Sequence, residues 1–275
     1  MTRSRIRLAA LLLFPAIHGT VVFAAAARQA TDETVELASR VEALWLRRDE
    51  PASMRSALDL YERLAALQPD RSETHVRLSR AFWWYGMLQP RSQVIERREL
   101  FRRGISAARR AQQLAPDTPG PYYWEATNRV HAVTAKGGFV TPNEILRIRK
   151  LLLKVDELNS WYHHGSIRYV EAELILRLPA LQRWLLARRV RSAVDLALTA
   201  LGFENSCLYG HWMLARALAA SGRRGAAIAQ IESIQEADPD AFFPDAPENR
   251  AIKRWAISLR QEIEGKDLRP KGDDR

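Results

Sequence analysis

The chain has 275 residues, of which 47% are hydrophobic and 27% charged, and its formal net charge is +10. This apolar content excludes a disordered chain and suffices for one or two hydrophobic cores. The single cysteine, Cys207, excludes an intramolecular disulfide, and we expect it to be a small packed residue. The positive charge is spread through predicted helices. This spread favours a solvated cationic surface, with anionic membranes and acidic partners as the alternative.

Residues 1–27 are predicted to form a signal peptide. Arg3, Arg5 and Arg7 give it a positively charged start, an apolar stretch follows, and the small residues Ala24–Ala27 suit signal peptidase. An uncleaved anchor is the alternative, so a membrane tether stays open. We therefore expect an exported protein without a nucleic-acid partner.

Residues 28–264 are predicted to form TPR-like (tetratricopeptide-like) helix pairs. Helix-forming residues dominate this region, and no alternating run of β-branched residues is bounded by turn residues. Four helices are expected to end in similar short sequences, at Leu67–Asp70, Leu114–Asp117, Leu158–Ser160 and Ala237–Asp240. The last unit, Leu208–Ala241, has the tetratricopeptide period of about 34 residues.

In chain order, helices are predicted over 31–48, 51–67, 72–85, 91–115, 120–137, 142–158, 166–178 and 179–201, then over the two halves of the last unit and over 249–264. Thr141 and Glu144 form a capping box at one helix start. Gly222 and Pro239 are expected to end the two helices of the last unit. The sequence thus predicts an all-α, TPR-like α-solenoid of antiparallel helix pairs, with a C-terminal capping helix and a charged flexible tail over 265–275.

No catalytic or metal-binding motif is present in the sequence. We therefore expect no enzyme activity, no catalytic residue, no metal and no cofactor. His163 and His164 are the most metal-like feature, but adjacent histidines point in different directions on most backbones. A structural role in their loop is favoured over a role in a pocket or a metal site.

Aromatic residues cluster on the predicted first helices. The trio Trp83–Tyr85 lies on one of them, Tyr122–Trp124 opens the next, and Trp161 and Tyr162 lead into a third. Successive helical residues turn by about 100°, so three consecutive rings cannot all face one core. Either these rings pack between layers, or the first helices of successive pairs line a shared surface and the spare rings form a binding cleft.

Six segments form a recognisable series by their order and spacing: Pro121–Ala126, Gly137–Gly138, Val155–Asn159, Tyr162–Tyr169, the repeat at Leu208–Ala241 and Pro247–Arg250. In this series the chain resembles the T-component (TatT-like) proteins of tripartite ATP-independent periplasmic (TRAP) transporters. The resemblance covers about Pro51 to Glu264. It implies a periplasmic TPR-like protein that associates with the transporter's solute-binding subunit and holds or relays a small apolar ligand. Members of this family are often lipid-anchored, and this chain lacks the required cysteine.

The candidate ligand-binding residues are Trp84, Tyr123, Trp124, Asn128, His164, Gly165 and Arg168. Asn128 lies one turn after Trp124, and Arg168 lies about one turn after Gly165, so either side chain could supply a polar anchor. A generic TPR scaffold for protein–protein interaction in the cell envelope is the alternative function. The expected partner is the periplasmic solute-binding protein of a TRAP transporter, and a homo-oligomer stays open.

Overall fold

The structure, a computed structural model, describes residues 33–135, 137, 139–179, 181–182 and 192–267. Within these ranges the helices are joined by turns and short loops, and the other regular feature is an isolated bridge between Cys207 and Phe243. The helices are α1 (33–45), α2 (Pro51–Leu67), α3 (Ser72–Leu88), α4 (Val94–Leu114), α5 (Pro119–Thr134), α6 (Pro142–Leu158), α7 (Ile167–Arg177), α8 (Ala193–Leu201), α9 (Leu208–Ala220), α10 (Arg224–Glu236) and α11 (Ala246–Asp267). The predicted signal peptide, the middle of the predicted helix over 179–201 and the end of the predicted tail lie outside the described residues. The prediction of one continuous helix over 179–201 is wrong, because Ser192 is extended and its side chain caps a helix that begins at Ala193. Residues 265–267 of the predicted tail belong to α11.

Local sequence chemistry sets several helix ends. The side chain of Thr141 accepts a hydrogen bond from the Glu144 N–H at 3.3 Å, which confirms the predicted N-cap of α6. After α9, Gly222 adopts φ +81°, and the N–H of Arg223 donates to the carbonyl of Leu218 at 2.9 Å. This is the glycine-dependent closure that the sequence predicts there.

The helices stack as a solenoid with two rows. From α2 onward each helix packs against the next one in the chain, and α3, α5, α7, α9 and α11 also contact one another in succession. These five form an inner row, and the helices between them form an outer row. The arrangement confirms the predicted all-α repeat solenoid, in which each unit buries its apolar face against its neighbours.

Two hydrophobic cores run along the stack. The first includes Trp84, Phe101 and Ile148, and the second is built mainly from α8, α9 and α10. Trp255 of α11 packs against both cores. Each fully buried large apolar side chain contributes roughly 1.5–3 kcal/mol, so both cores are needed to hold the stack together.

The C-terminal helix α11 also returns to the N-terminal units. The carboxylate of Asp49, just after α1, accepts hydrogen bonds from Arg250 at 2.8 and 3.1 Å and from Arg254 at 3.3 Å. Trp84 of α3 stacks on Trp255 with ring centroids 5.9 Å apart. The solenoid therefore closes on itself, and its inner row surrounds a central space.

Candidate functional site

A partly enclosed cavity of about 480 Å³ lies inside the inner row of helices. Its wall comes from α3, α5, the 159–166 segment, α7, the start of α9 and the segment that leads into α11. The volume falls within the range of small-molecule sites, about 300–1,000 Å³. The aromatic residues of α3 and α5 that line it are Trp83, Trp84, Tyr123 and Trp124.

These rings hold one another in place. Trp83 contacts Trp84 at a centroid distance of 5.3 Å and Trp124 at 5.8 Å, and Tyr123 contacts Trp124 at 5.1 Å. Most of the contacts are edge-to-face, the geometry that the ring quadrupole favours. All four side chains are at most 9% exposed. Both interpretations of the aromatic residues therefore apply to these four rings, which pack between helices and also line a cavity.

A left-handed turn precedes α7. His163, His164 and Gly165 have φ values of +47°, +53° and +75°. Only the glycine adopts this conformation freely, and each histidine stores strain of about 1 kcal/mol or more. A Cβ atom at Gly165 would lie 2.8 Å from the ring of Phe203, so this position also needs glycine for space. The turn presents both histidines to the cavity wall.

His163 is held as a neutral imidazole. Its ring stacks on Tyr123 at 5.3 Å and meets Tyr162 edge-on at 4.5 Å. The ring keeps exposed surface, but it lines the cavity and is surrounded by protein atoms. Burial, then the charges of Arg80 and His164, lower the pKa of His163 to about 4. A neutral imidazole has one hydrogen-bond donor and one acceptor to offer.

Arg80 of α3 lines the cavity between two indole rings. Its Cζ atom lies 4.8 Å from the ring centroid of Trp45 and 5.7 Å from that of Trp124. Its Nε is fully buried without a hydrogen-bond partner, and within the described part of the chain no carboxylate oxygen lies within 4.0 Å of its guanidinium. Burial lowers the pKa of Arg80. Arg80 therefore makes no contact ion pair among these residues, but the negative charge of Glu248 in the same wall partly offsets its positive charge.

Glu173 of α7, in another part of the wall, differs from Arg80 because it forms direct ion pairs. Its side chain is 4% exposed and accepts hydrogen bonds from Arg177 and Arg216. Burial opposes its ionisation, but the charges of Arg177 and Arg216 outweigh burial and hold the pKa of Glu173 well below its usual range. This carboxylate is fully compensated within the protein.

Three further nitrogen atoms of lining residues are buried without a hydrogen-bond partner in the described part of the protein. They are Nε1 of Trp83, Nε1 of Trp84 and Nδ1 of His131. Leaving such a group unsatisfied costs about 1–3 kcal/mol. Buried polar atoms are nearly always satisfied in proteins, so their concentration around one cavity calls for a specific explanation.

The structure brings four of the seven predicted site residues to the cavity: Trp84, Tyr123, Trp124 and His164. The ring of His164 packs against Phe243 at 4.3 Å. Sequence reasoning did not select Arg80, His163 or Glu248, which also line the cavity. A signal for Arg80 exists, because it lies three and four residues before Trp83 and Trp84 and so shares their helix face.

Asn128 lies elsewhere, at the junction of α3, α4 and α5. It is completely buried, and its Nδ2 donates to the carbonyl and hydroxyl oxygens of Ser79 at 3.2 and 3.1 Å. A Cβ atom at Gly104 would lie 2.4 Å from the Asn128 amide oxygen, so α4 and α5 approach closely here. Because nearly every residue of α5 is buried, the spacing from Trp124 does not reveal which neighbour Asn128 faces.

Arg168 and Gly165 also lie outside the cavity lining. Arg168 is within 3.9 Å of Asp156 and 3.8 Å of Glu171, in two partly exposed ion pairs. Gly165 shapes the turn that presents the histidines. Neither residue contributes a side chain to the cavity wall.

No group of three or more His, Cys, Asp or Glu side chains in the described part of the chain is placed to hold a metal ion. Burial raises the pKa of the Cys207 thiol to about 12, so it is protonated at neutral pH and a poor nucleophile. Among the helices described, none combines the length and hydropathy that a membrane span requires.

Comparison with known proteins assigns no family to this chain. No protein-family model matches the sequence, and no curated protein matches it. The resemblance to T-component proteins stays a prediction from the residues, and the function is argued below from the geometry of the cavity.

Proposed function

We propose that this protein is a non-catalytic, exported binding protein that holds or relays a small apolar ligand and works beside the periplasmic solute-binding subunit of a TRAP-type transporter. The observation that carries the ligand proposal is the cavity of about 480 Å³, with its aromatic wall contributed by every second helix of the solenoid. A stack of helix pairs needs no such space for its own stability, since close packing of the inner row would bury more surface.

Apolar burial supplies the binding energy in this proposal. A ligand and site that together bury roughly 400 Å² of apolar surface gain about 10 kcal/mol before the costs of association. Those costs are at least about 4 kcal/mol for lost translational and rotational freedom. The rings already hold one another, so little further ordering is required. The balance favours reversible binding, which suits a protein that passes a ligand on.

The proposed partner rests on the resemblance to T-component proteins and on the predicted signal peptide. In support, five of the six segments that carry the resemblance meet at the cavity. Tyr123 and Trp124 come from the first, and the 162–169 segment supplies both histidines. Asn159, Tyr209 and Glu248 come from three others. Local likeness in sequence therefore coincides with the proposed binding region.

The ligand proposal can be tested with two matched substitutions on α5. Val130 is completely buried and lines the cavity, whereas Val133, one turn later, is partly buried and faces an outer groove between α4 and α6. Val130→Phe fills cavity space, so we expect it to weaken binding of octan-1-ol, measured by calorimetry, at least about 10-fold. Val133→Phe should leave this affinity unchanged. Equal octan-1-ol binding by both variants and the original protein would contradict the assignment of the cavity.

The partner proposal needs a separate test. The full chain, with its N-terminal segment and a C-terminal tag, is expressed in its host, crosslinked and purified. We expect a periplasmic solute-binding protein to be captured. Capture of envelope assembly proteins without it would favour the alternative, a generic TPR scaffold.

A further inference from the structure

A second, smaller cavity gathers arginine side chains from four parts of the chain. Its volume is about 270 Å³, and it shares no lining residue with the cavity described above. Its wall comes from the segment before α4, from α4, from the end of α5, and from α7, α9 and α11. Four of its eight lining residues are arginines, namely Arg91, Arg97, Arg177 and Arg216. We call this cavity the arginine pocket.

Carboxylates in contact with these arginines are too few to balance them. Glu262 is the one acidic residue of the wall, and it forms an exposed pair with Arg91. Glu173 is buried and pairs with both Arg177 and Arg216. Among the described residues, two carboxylates therefore serve four guanidinium groups, and a surplus of positive charge remains at the pocket.

Arg97 is the member of the set without a contact ion pair. In the part of the chain that the structure describes, no carboxylate oxygen lies within 4.0 Å of its guanidinium, and its Nε donates to the carbonyl of Gly86 at 3.1 Å. Burial, then the positive charges of Arg177 and Arg91, lower the pKa of Arg97 to about 10, and the opposing charge of Glu173 is the smallest of these contributions. The charges that act on Arg97 are therefore mainly repulsive.

Arg80 in the larger cavity differs on this point. There the carboxylate of Glu248 has the largest effect of any charge on the pKa of Arg80, and it is attractive. The electrostatic case for an anion therefore applies to the arginine pocket and not to the wall around Arg80.

The rest of the arginine pocket adds hydrogen-bond donors. Trp212 is 3% exposed, its Nε1 is buried without a hydrogen-bond partner among the described residues, and its ring lies 4.6 Å from the Cζ of Arg216. Apart from Glu262, the lining side chains include no hydrogen-bond acceptor. Guanidinium groups present planar forks of N–H donors that match the oxygens of carboxylate and phosphate groups.

We propose that the arginine pocket is a second binding site, which takes a small, doubly charged oxyanion of the phosphate or sulfate kind. Two negative charges match the two guanidinium charges that Glu173 and Glu262 leave unbalanced. The volume lies just below the range of about 300–1,000 Å³ for organic-ligand sites, which favours a compact anion. This site goes beyond the proposed function, because it requires neither the larger cavity nor an apolar ligand.

The test is calorimetry of the full chain with sulfate, phosphate and acetate at one ionic strength, since salt screens exposed charges. We expect sulfate and phosphate to bind at least about 10-fold more tightly than acetate, as hydrogen bonds between charged groups imply. Arg97→Met should weaken sulfate binding by about 10-fold or more. Arg97→Lys should keep part of the affinity, because it keeps the charge and loses the fork.

Arg102→Met is the matched control. Arg102 lies on the same helix, is exposed, and lines the outer groove between α4 and α6. Its removal changes the net charge as much as Arg97→Met does, but we expect the sulfate affinity to remain. If Arg97→Met does not fold, Ala135→Glu decides: it keeps all four arginines and adds a carboxylate at the partly exposed edge of the pocket, so it should also weaken sulfate binding.

A free anion and a phospholipid headgroup share this chemistry, and sedimentation with phosphatidic acid vesicles separates them. Vesicle binding that is lost in Arg97→Met and kept in Arg102→Met assigns the site to a headgroup. Sulfate binding with the same pattern, and no such loss on vesicles, assigns it to a free anion.

The proposal is overturned if sulfate binds no more tightly than acetate and no vesicle binding depends on Arg97. It is also overturned if Arg97→Met and Ala135→Glu both bind sulfate as the original protein does. Neither result affects octan-1-ol binding in the larger cavity, so failure here is distinct from failure of the proposed function.

Discussion

Two charged residues of the same cavity wall, Glu173 and Arg80, differ in whether another side chain forms an ion pair with them. At the paired site, Glu173 is buried between Arg177 and Arg216, so the protein itself supplies every charged partner. At the unpaired site, Arg80 lies between Trp45 and Trp124 with no contacting carboxylate among the described residues. Charge that is satisfied internally serves the fold. A charge without a contact ion pair contributes less to it, and the predictions below separate these two cases.

The largest effect is expected at the paired site. Glu173→Gln removes the anion and leaves two partly buried arginines without compensation, so we expect a loss of about 3–5 kcal/mol in the free energy of unfolding. Glu157→Gln, which breaks the exposed pair with Lys154, should cost less than about 1 kcal/mol. Urea denaturation measures both. A Glu173→Gln protein as stable as the original would show that this network does not hold the fold.

The second prediction concerns Asn128, which is a junction residue and not a ligand anchor in this account. Asn128→Ala leaves the carbonyl of Ser79 with one partner fewer in a buried position, so we expect a loss of about 1–3 kcal/mol. Octan-1-ol affinity should not change. A stable variant with weakened binding would instead restore Asn128 to the ligand site.

The third prediction concerns the unpaired site. Arg80→Met removes a desolvated charge and two cation–π contacts but keeps an apolar stem, and these effects nearly cancel. We expect the free energy of unfolding to change by less than about 1 kcal/mol. A loss as large as that of Glu173→Gln would mean that Arg80 is a structural residue and has a partner in the folded protein.

The smallest effect is a pH dependence from His163. Its folded pKa of about 4 lies below its ordinary value of 6.5, so the unfolded chain binds more protons between these values. The contribution of His163 to the free energy of unfolding is therefore fully present above pH 6.5 and decreases as the pH falls towards 4. Because the ring keeps accessible surface, we expect less than about 1 kcal/mol. His163→Gln should flatten the stability curve between pH 6.5 and 5; an unchanged slope would contradict the neutral imidazole.

His131 serves as an internal reference for that measurement. Burial, then the charge of Arg177, holds the pKa of His131 well below 6.5. Its contribution has the same sign and is present in both proteins. The difference between the two curves therefore reports His163 alone, provided that the substitution leaves the turn at Gly165 intact.

The helix pairs could be predicted from the sequence because their signals are local. The capping box at Thr141, the closure at Gly222 and the period of the last unit depend only on neighbouring residues, and the structure places helix ends there. The alternation of first and second helices along the chain follows from the same signals. This alternation also predicts that every second helix lies on one shared surface.

The site was predicted only in part, because its polar groups depend on distant contacts. Aromatic trios stand out in any sequence, and Trp84, Tyr123 and Trp124 do line the cavity. Whether the side chain of Asn128 can bind a ligand depends on its contacts with Ser79 and Gly104. Whether Arg80 can do so depends on what Glu248 contacts. The return of α11 to Asp49 joins residues about 200 positions apart, and no local pattern predicts such a contact.

The central claim is that the cavity holds a small apolar ligand. Native mass spectrometry of the full chain, purified without detergent or organic solvent, tests it most directly when the original protein is compared with Val130→Phe. The account predicts an additional mass on the original protein, released as a small apolar molecule and missing from the variant. An original protein found only at its own mass, in repeated gentle preparations, would contradict it.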